Sequence, residues 1–224
     1  MHYAMGGIRT NVDGETNLEG VYAAGECACV SVHGGNRLGA NSLLDTIVFG
    51  ERSGNHAAET PRDAEFVEFN VEESVRNEEK RLQGFLDRPQ NGDRIASVRL
   101  AMGESMNRNL AVYRNEEGMK ATLAELKEIE KRYETVPVDN KGKLFNTDLV
   151  FALELGFMLD CATPIAMSAL DRKDSRGAPA RTDYPDRDDE NWMKHLVIKK
   201  GAAGPELSYA PVSITQWTPE ERKY

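Results

Sequence analysis

The stretch Ser31-Val32-His33-Gly34-Gly35-Asn36-Arg37-Leu38-Gly39-Ala40-Asn41-Ser42-Leu43-Leu44-Asp45 constrains the fold more than any other part of the chain. Upstream of it, Gly20-Val21-Tyr22-Ala23-Ala24-Gly25 reads as a short strand ending at a glycine. Downstream, Asn41 and Ser42 are residue types that cap helix N-termini, and Leu43, Leu44, Ile47 and Val48 recur at helical spacing. That spacing predicts a helix with one buried apolar face. A strand, a glycine loop and a helix in this order present backbone N–H groups and a positive helix end to an anion or an electron-rich ring. An arginine inside such a loop suits a carboxylate, because the guanidinium fork engages both oxygens.

Beyond this region the composition shifts twice. Thr60-Pro61-Arg62-Asp63 breaks the pattern and marks a domain boundary, after which glycine thins out and Glu, Lys, Arg, Leu and Met dominate. Helices are expected near residues 70–87, 93–115 and 117–134, the last with Glu125, Lys127, Glu128 and Lys131 on a solvated face. A longer helix follows from Asn146, carrying Leu149, Leu153, Met158 and Ile165, with a bend expected at Pro164. Residues 172–189 are dense in both charge signs. Strand candidates at 193–199 and 206–214 then flank Gly201-Ala202-Ala203-Gly204. The expected fold class is mixed α+β, organised as residues 1–60, a helical-bundle domain at 61–171 and a charged loop with an extended β segment at 172–224.

Charge and hydropathy exclude some functions. The net charge of -9 argues against nucleic acid as a partner, since phosphate binding needs a positive field. A mean hydropathy of -0.56 and no apolar run near ~18 residues lead to the expectation of no membrane span. The longest apolar stretch, Leu149 to Leu159, is interrupted by Glu154 and Gly156 and reads as a buried helix. Of the three cysteines, Cys27 and Cys29 form a C-x-C pair too tight for the usual zinc or redox spacing. No metal site is expected, and reduced thiols fit a cytosolic compartment. The chain opens on a glycine-rich turn with no element before it, which is the expectation for a segment begun inside a larger protein.

Three clusters could carry chemistry. In His2-Tyr3-Ala4-Met5-Gly6-Gly7-Ile8, the glycines allow close backbone approach to a ligand, and a histidine beside them can donate to a carboxylate. Glu26, in Gly25-Glu26-Cys27, is placed where an acidic side chain can accept hydrogen bonds from ribose or ribityl hydroxyls. The glycine loop with Arg37 is the third.

Together these motifs resemble the succinate dehydrogenase and fumarate reductase flavoproteins. The tail agrees in Asp174-Ser175-Arg176-Gly177-Ala178, Arg181-Thr182-Asp183-Tyr184-Pro185, Arg187-Asp188-Asp189-Glu190-Asn191-Trp192-Met193-Lys194-His195 and Glu206-Leu207-Ser208-Tyr209-Ala210-Pro211-Val212. The motifs fall in the family's order along nearly the whole chain. The resemblance implies that residues 1–60 end an FAD-binding α/β domain. It implies substrate-carboxylate ligands at His2 and Arg37, flavin contacts at Glu26, Ser42 and Leu43, and succinate oxidised to fumarate with FAD. Electrons would pass through an iron–sulfur subunit to quinone at a membrane anchor subunit. The flavoprotein would sit peripherally on the cytoplasmic face of a bacterial or archaeal inner membrane, or on the matrix side in a mitochondrion.

Some family features are missing or altered. The sequence has Asp174 where the family has Glu and Pro179 where it has His. It has no G-x-G-x-x-G fingerprint for the flavin pyrophosphate. The histidine that holds FAD covalently and the proton-shuttling arginine are expected upstream of His2, so no catalytic residue is assigned here. L-aspartate oxidase shares H-G-x-N-R-L-x-x-N-S-L but lacks a tail like Arg187 to Trp192. Fumarate reduction, and a non-catalytic module that binds the iron–sulfur partner, are the remaining alternatives.

Overall fold

Glycines at positive φ steer the first part of the chain in the computed structural model, which describes residues 3–59 and 70–220. The chain divides into two compact units, Met1–Phe69 with Arg176–Ala178, and Asn70–Ser175 with Pro179–Tyr224. The boundary expected at Thr60–Asp63 lies outside the described residues.

In the first unit, strand β1 (Ile8–Arg9) pairs in parallel with β2 (Ala28–Cys29). Between them the expected strand at residues 20–25 does not form. Tyr22 makes a single antiparallel bridge to Glu15, and the Val21 N–H already turns back to the carbonyl of Leu18. Gly25, at φ 76°, then carries the backbone out of the extended range into a 3-10 turn, Gly25–Cys27. Helix α1 (Asn41–Glu59) follows the glycine loop. It is entered through Ala40 at φ 66°, so Asn41 lies in its first turn and not before it.

The buried face of α1 is the reverse of the expected one. Leu43, Leu44, Ile47 and Val48 are exposed, while Asp45 and Ser53 are the buried residues. The inward stripe is polar and recurs at helical spacing. Asp45 meets Tyr3 and His33, Arg52 donates to the Val12 carbonyl and to Asp13, Ser53 lies against Gly14, and His56 meets Tyr22. The partners available inside this unit are loops rich in carbonyls and carboxylates, and they select the polar side.

The second unit is built conventionally. Asparagine side chains start α2 (Val71–Leu86), α4 (Glu116–Glu134) and α5 (Thr147–Asp171): Asn70, Asn115 and Asn146 each accept a backbone N–H three residues on, at 3.0, 2.9 and 2.9 Å. Helix α3 (Ile95–Asn109) lies between them in sequence and stops short of the expected residue 115, because Leu110 leaves the helix and Tyr113–Arg114 becomes strand β3. Met119, Thr122, Leu126 and Ile129 of α4 recur at three- and four-residue spacing and close against Val98 and Met102 of α3 and Leu155, Leu159, Ala162 and Ala166 of α5. Glu125, Glu128 and Lys131 form exposed ion pairs on the opposite face of α4.

Helix α5 is the one described helix long and apolar enough to cross a membrane, contrary to the expectation of no such segment. Glu154 and Asp160 hid it from a search for unbroken apolar runs. It packs against α2, α3 and α4 on one side, while Val150, Phe151, Phe157 and Ile165 are exposed. The helix continues through Pro164 without interruption.

The tail completes this unit. Strand β4 (Ala180–Arg181) pairs in parallel with β3, and a short helix α6 (Asp189–Trp192) leads into the antiparallel hairpin of β5 (Lys194–Gly201) and β6 (Gly204–Pro211). The ladder runs to Gly201 opposite Gly204, leaving only Ala202 and Ala203 as the turn. Arg181, 2% exposed, places Nη1 on the carbonyls of Ala169, Leu170 and Arg172 at the end of α5 and its fork on Asp183 at 2.7 Å. A cation at a helix C-terminus satisfies orphan carbonyls and the negative end of the dipole together.

Candidate functional site

The residues singled out by the motifs come together in the first unit. The glycine loop is bracketed by two non-glycine residues in the left-handed region, Ser31 at φ 77° and Ala40 at φ 66°. Strain of this kind persists only where surroundings hold it in place, and it concentrates at ligand-binding segments. Part of that support is the segment Arg176–Ala178. The Ala178 N–H donates to the Gly35 carbonyl at 3.0 Å, and a Cβ on Gly35 would stand 2.6 Å from the Arg176 carbonyl oxygen. Only glycine permits that approach.

Arg37 is half-buried in this loop. Its Nη1 donates to the Leu38 carbonyl at 3.1 Å, its guanidinium lies over the Tyr3 ring at 5.2 Å, and its Nε is buried with no hydrogen-bond partner among the described residues. Tyr3 in turn donates its hydroxyl to Asp45 at 3.0 Å, and His33 Nε2 meets the same Asp45 oxygen at 3.0 Å. Burial, followed by the hydrogen bond to Asp45, pushes the Tyr3 hydroxyl up to about 12. The His33 Nδ1 atom is also buried with no partner among the described residues. Buried polar atoms are satisfied as a rule, so Arg37 Nε and His33 Nδ1 make this loop the candidate place for a polar ligand.

Glu26 is exposed in the 3-10 turn, and its Oε1 accepts the Ala4 N–H at 2.9 Å, tying the opening motif to that turn. Ser42 is half-buried and Leu43 is 70% exposed, both in the first turn of α1. His2 lies outside the described residues. The structure therefore gathers Arg37, Glu26, Ser42 and Leu43 in one unit, and adds Tyr3, His33 and Asp45, which the motif reading quoted without a role. The signal that could have found Asp45 is the polar stripe of residues 45, 52, 53 and 56 running beside the leucines.

A cleft of about 330 Å³ in the second unit, lined by Arg94, Arg99, Asp139, Phe151 and Glu154 among others, mixes both charge signs and contains none of these residues. Among the described residues no group of histidine, cysteine and carboxylate side chains is arranged to hold a metal, and the three cysteines are free thiols.

An exposed carboxylate, an apolar side chain at a helix N-terminus and a half-buried guanidinium are groups of the kinds that could line one edge of a flavin and a carboxylate beside it. They do not fit the pyrophosphate, for which the sequence has no glycine fingerprint. Residues 99–224 match the model of the fumarate reductase flavoprotein C-terminal region, and residues 1–43 match an FAD binding domain. The chain belongs to the succinate dehydrogenase and fumarate reductase flavoprotein family.

It is similar to the fumarate reductase flavoprotein subunit of Mycobacterium tuberculosis, 40% identical over 230 residues, and to the succinate dehydrogenase flavoprotein subunit of Rickettsia conorii, 42% identical over 233. These alignments take in 100% and 98% of this chain but 40% and 39% of the relatives. A solved E. coli quinol fumarate reductase chain superposes with a TM-score of 0.90 at 37% identity, covering 98% of this chain and 38% of that one. The chain thus spans about two fifths of the length of the relatives it matches.

Proposed function

We propose that the chain supplies one side of the dicarboxylate and flavin site of a succinate dehydrogenase, an FAD-dependent oxidoreductase that converts succinate to fumarate. The observation that carries this reading is Arg37: a guanidinium held in a strained glycine loop over the Tyr3 ring, with a buried Nε that has no partner among the described residues. Its fork would bind one substrate carboxylate, with His2 donating to a carboxylate from the opening motif. Fixing both carboxylates orients the carbon–carbon bond and stabilises charge as it develops.

When bound, FAD supplies the two-electron acceptor. Glu26 would accept hydrogen bonds from its hydroxyls, Leu43 would cover an apolar part of the ring, and Ser42 would donate beside it. The positive end of α1 favours negative charge at that place. Partners follow from the same reading: an iron–sulfur subunit to receive electrons and a membrane anchor carrying quinone. Solved neighbours whose titles name a quinol fumarate reductase and a Mycobacterium smegmatis Sdh1 complex support such an assembly, and a peripheral place on the cytoplasmic face of the membrane is part of the same proposal.

The dehydrogenase direction rests on the resemblance of Val30 to Gly34 and Ser42 to Asp45 to that branch. Relatives named for either direction stand at similar identity, so fumarate reduction is the second reading. In the FAD-loaded holoenzyme that carries this sequence, Arg37→Ala is expected to keep its flavin and lose succinate turnover. Near-normal turnover would remove Arg37 from the site, and the ratio of the two rates in the parent enzyme decides the direction.

A further inference from the structure

Asp45 is buried one turn into α1, at 6% exposure, on the polar stripe of that helix. Both of its described partners converge on one oxygen: the Tyr3 hydroxyl and His33 Nε2, each at 3.0 Å. A buried carboxylate accepts and does not donate, so the His33 nitrogen facing it carries the proton, and Nδ1 is the atom left for other contacts. The ring of Tyr3 meets the His33 ring edge-on at 5.4 Å and supports the Arg37 guanidinium on its face at 5.2 Å. Three separate parts of the sequence, the opening motif, the glycine loop and the helix, therefore meet at a single carboxylate. Removing it would release Tyr3 and His33 together, and Arg37 would lose the ring beneath it.

We propose that Asp45 is the positioning residue of the carboxylate-binding site, setting His33 directly and Arg37 through Tyr3. This rests on the assignment of Arg37 to the substrate carboxylate. Asp45 itself does not touch the substrate. Its role is to fix the direction of the guanidinium fork before the ligand arrives, so that binding does not have to order it. Tyr3 then has two separable parts: a hydroxyl that anchors it to Asp45, and a ring that carries Arg37.

The two parts can be tested apart in the FAD-loaded holoenzyme with malonate, a dicarboxylate that binds without turnover, its affinity read from the change in the flavin absorbance. Tyr3→Phe keeps the ring and removes the anchor, and should raise the malonate Kd about tenfold, the loss of one charge-assisted hydrogen bond. Tyr3→Leu removes both parts and should raise it further. Asp45→Asn should weaken malonate at least as much as Tyr3→Phe. All should retain flavin content. A purely structural role would lower flavin content and melting temperature while leaving the Kd of the folded, flavin-loaded fraction unchanged, and that result overturns the proposal. Arg37→Ala is measured in parallel. If it weakens malonate while Tyr3→Phe and Asp45→Asn do not, the positioning role of Asp45 is wrong and the assignment of Arg37 stands. If Arg37→Ala also leaves the Kd unchanged, the underlying assignment is the one that fails. Should Asp45→Asn not fold, Tyr3→Phe alone decides.

Discussion

Helices α1 and α5 are both rich in leucine and other apolar residues, yet they bury opposite surfaces. Helix α5 turns Leu155, Leu159, Ala162 and Ala166 into a core shared with α3 and α4. Helix α1 turns Asp45 and Ser53 inward and leaves Leu43, Leu44, Ile47 and Val48 exposed in this chain. The second unit is organised by apolar burial, and the first by hydrogen bonds around a strained loop. Apolar periodicity says that a helix has two faces; which face is buried depends on what the rest of the unit offers it. A polar interior built from conflicting local geometry is where a binding site is expected, since function is the usual reason for such a departure.

This contrast can be broken most sharply by truncating one leucine on each helix. Leu155→Ala, at 1% exposure, should cost about 3 kcal/mol, the transfer and cavity contributions of a buried leucine. Leu44→Ala, at 57% exposure, should stay within about 0.5 kcal/mol. Urea denaturation of the two variants measures both, and equal costs would contradict the division. Next in size is Arg181→Met, which strips the carbonyls at the end of α5 of their cation and should destabilise the second unit by about 2–3 kcal/mol in the same assay.

The smallest effect shows itself as a pH dependence in acid. The Arg181 fork holds the Asp183 carboxyl down at about 2, below its ordinary 3.8. A carboxyl depressed in the folded state stabilises fully above its unfolded value, and that stabilisation disappears as pH falls from there toward about 2. Asp183→Asn should therefore flatten the acid limb of the stability curve in that window, be less stable than the parent at every pH above it, and converge on the parent below it. An unaltered limb would mean that the pair does not couple to folding.

Much of the second unit was legible because its signals are local. Asn70, Asn115 and Asn146 cap helices whose apolar spacing is regular, and the strands beside Gly201-Ala202-Ala203-Gly204 form as expected, though the ladder enters the turn further and β6 ends at Pro211, short of residue 214. The first unit was harder. Gly20 to Gly25 has the composition of a strand, but Gly25 at φ 76° ends it before a ladder can form, and composition does not carry φ. Arg37, Glu26, Ser42 and Leu43 are proposed as site residues through motif resemblance. Asp45 and Tyr3 were quoted but not connected, because their contact joins residues 42 positions apart and leaves no spacing to read.

The central claim, that the first unit presents Arg37 to a substrate carboxylate beside the flavin, is tested most directly by titrating the FAD-loaded holoenzyme and its Arg37→Ala variant with succinate while following the flavin spectrum anaerobically. The account predicts a variant with full flavin content in which succinate neither perturbs nor reduces the flavin at concentrations that saturate the parent. A variant that is perturbed and reduced at the parent's concentrations would contradict it.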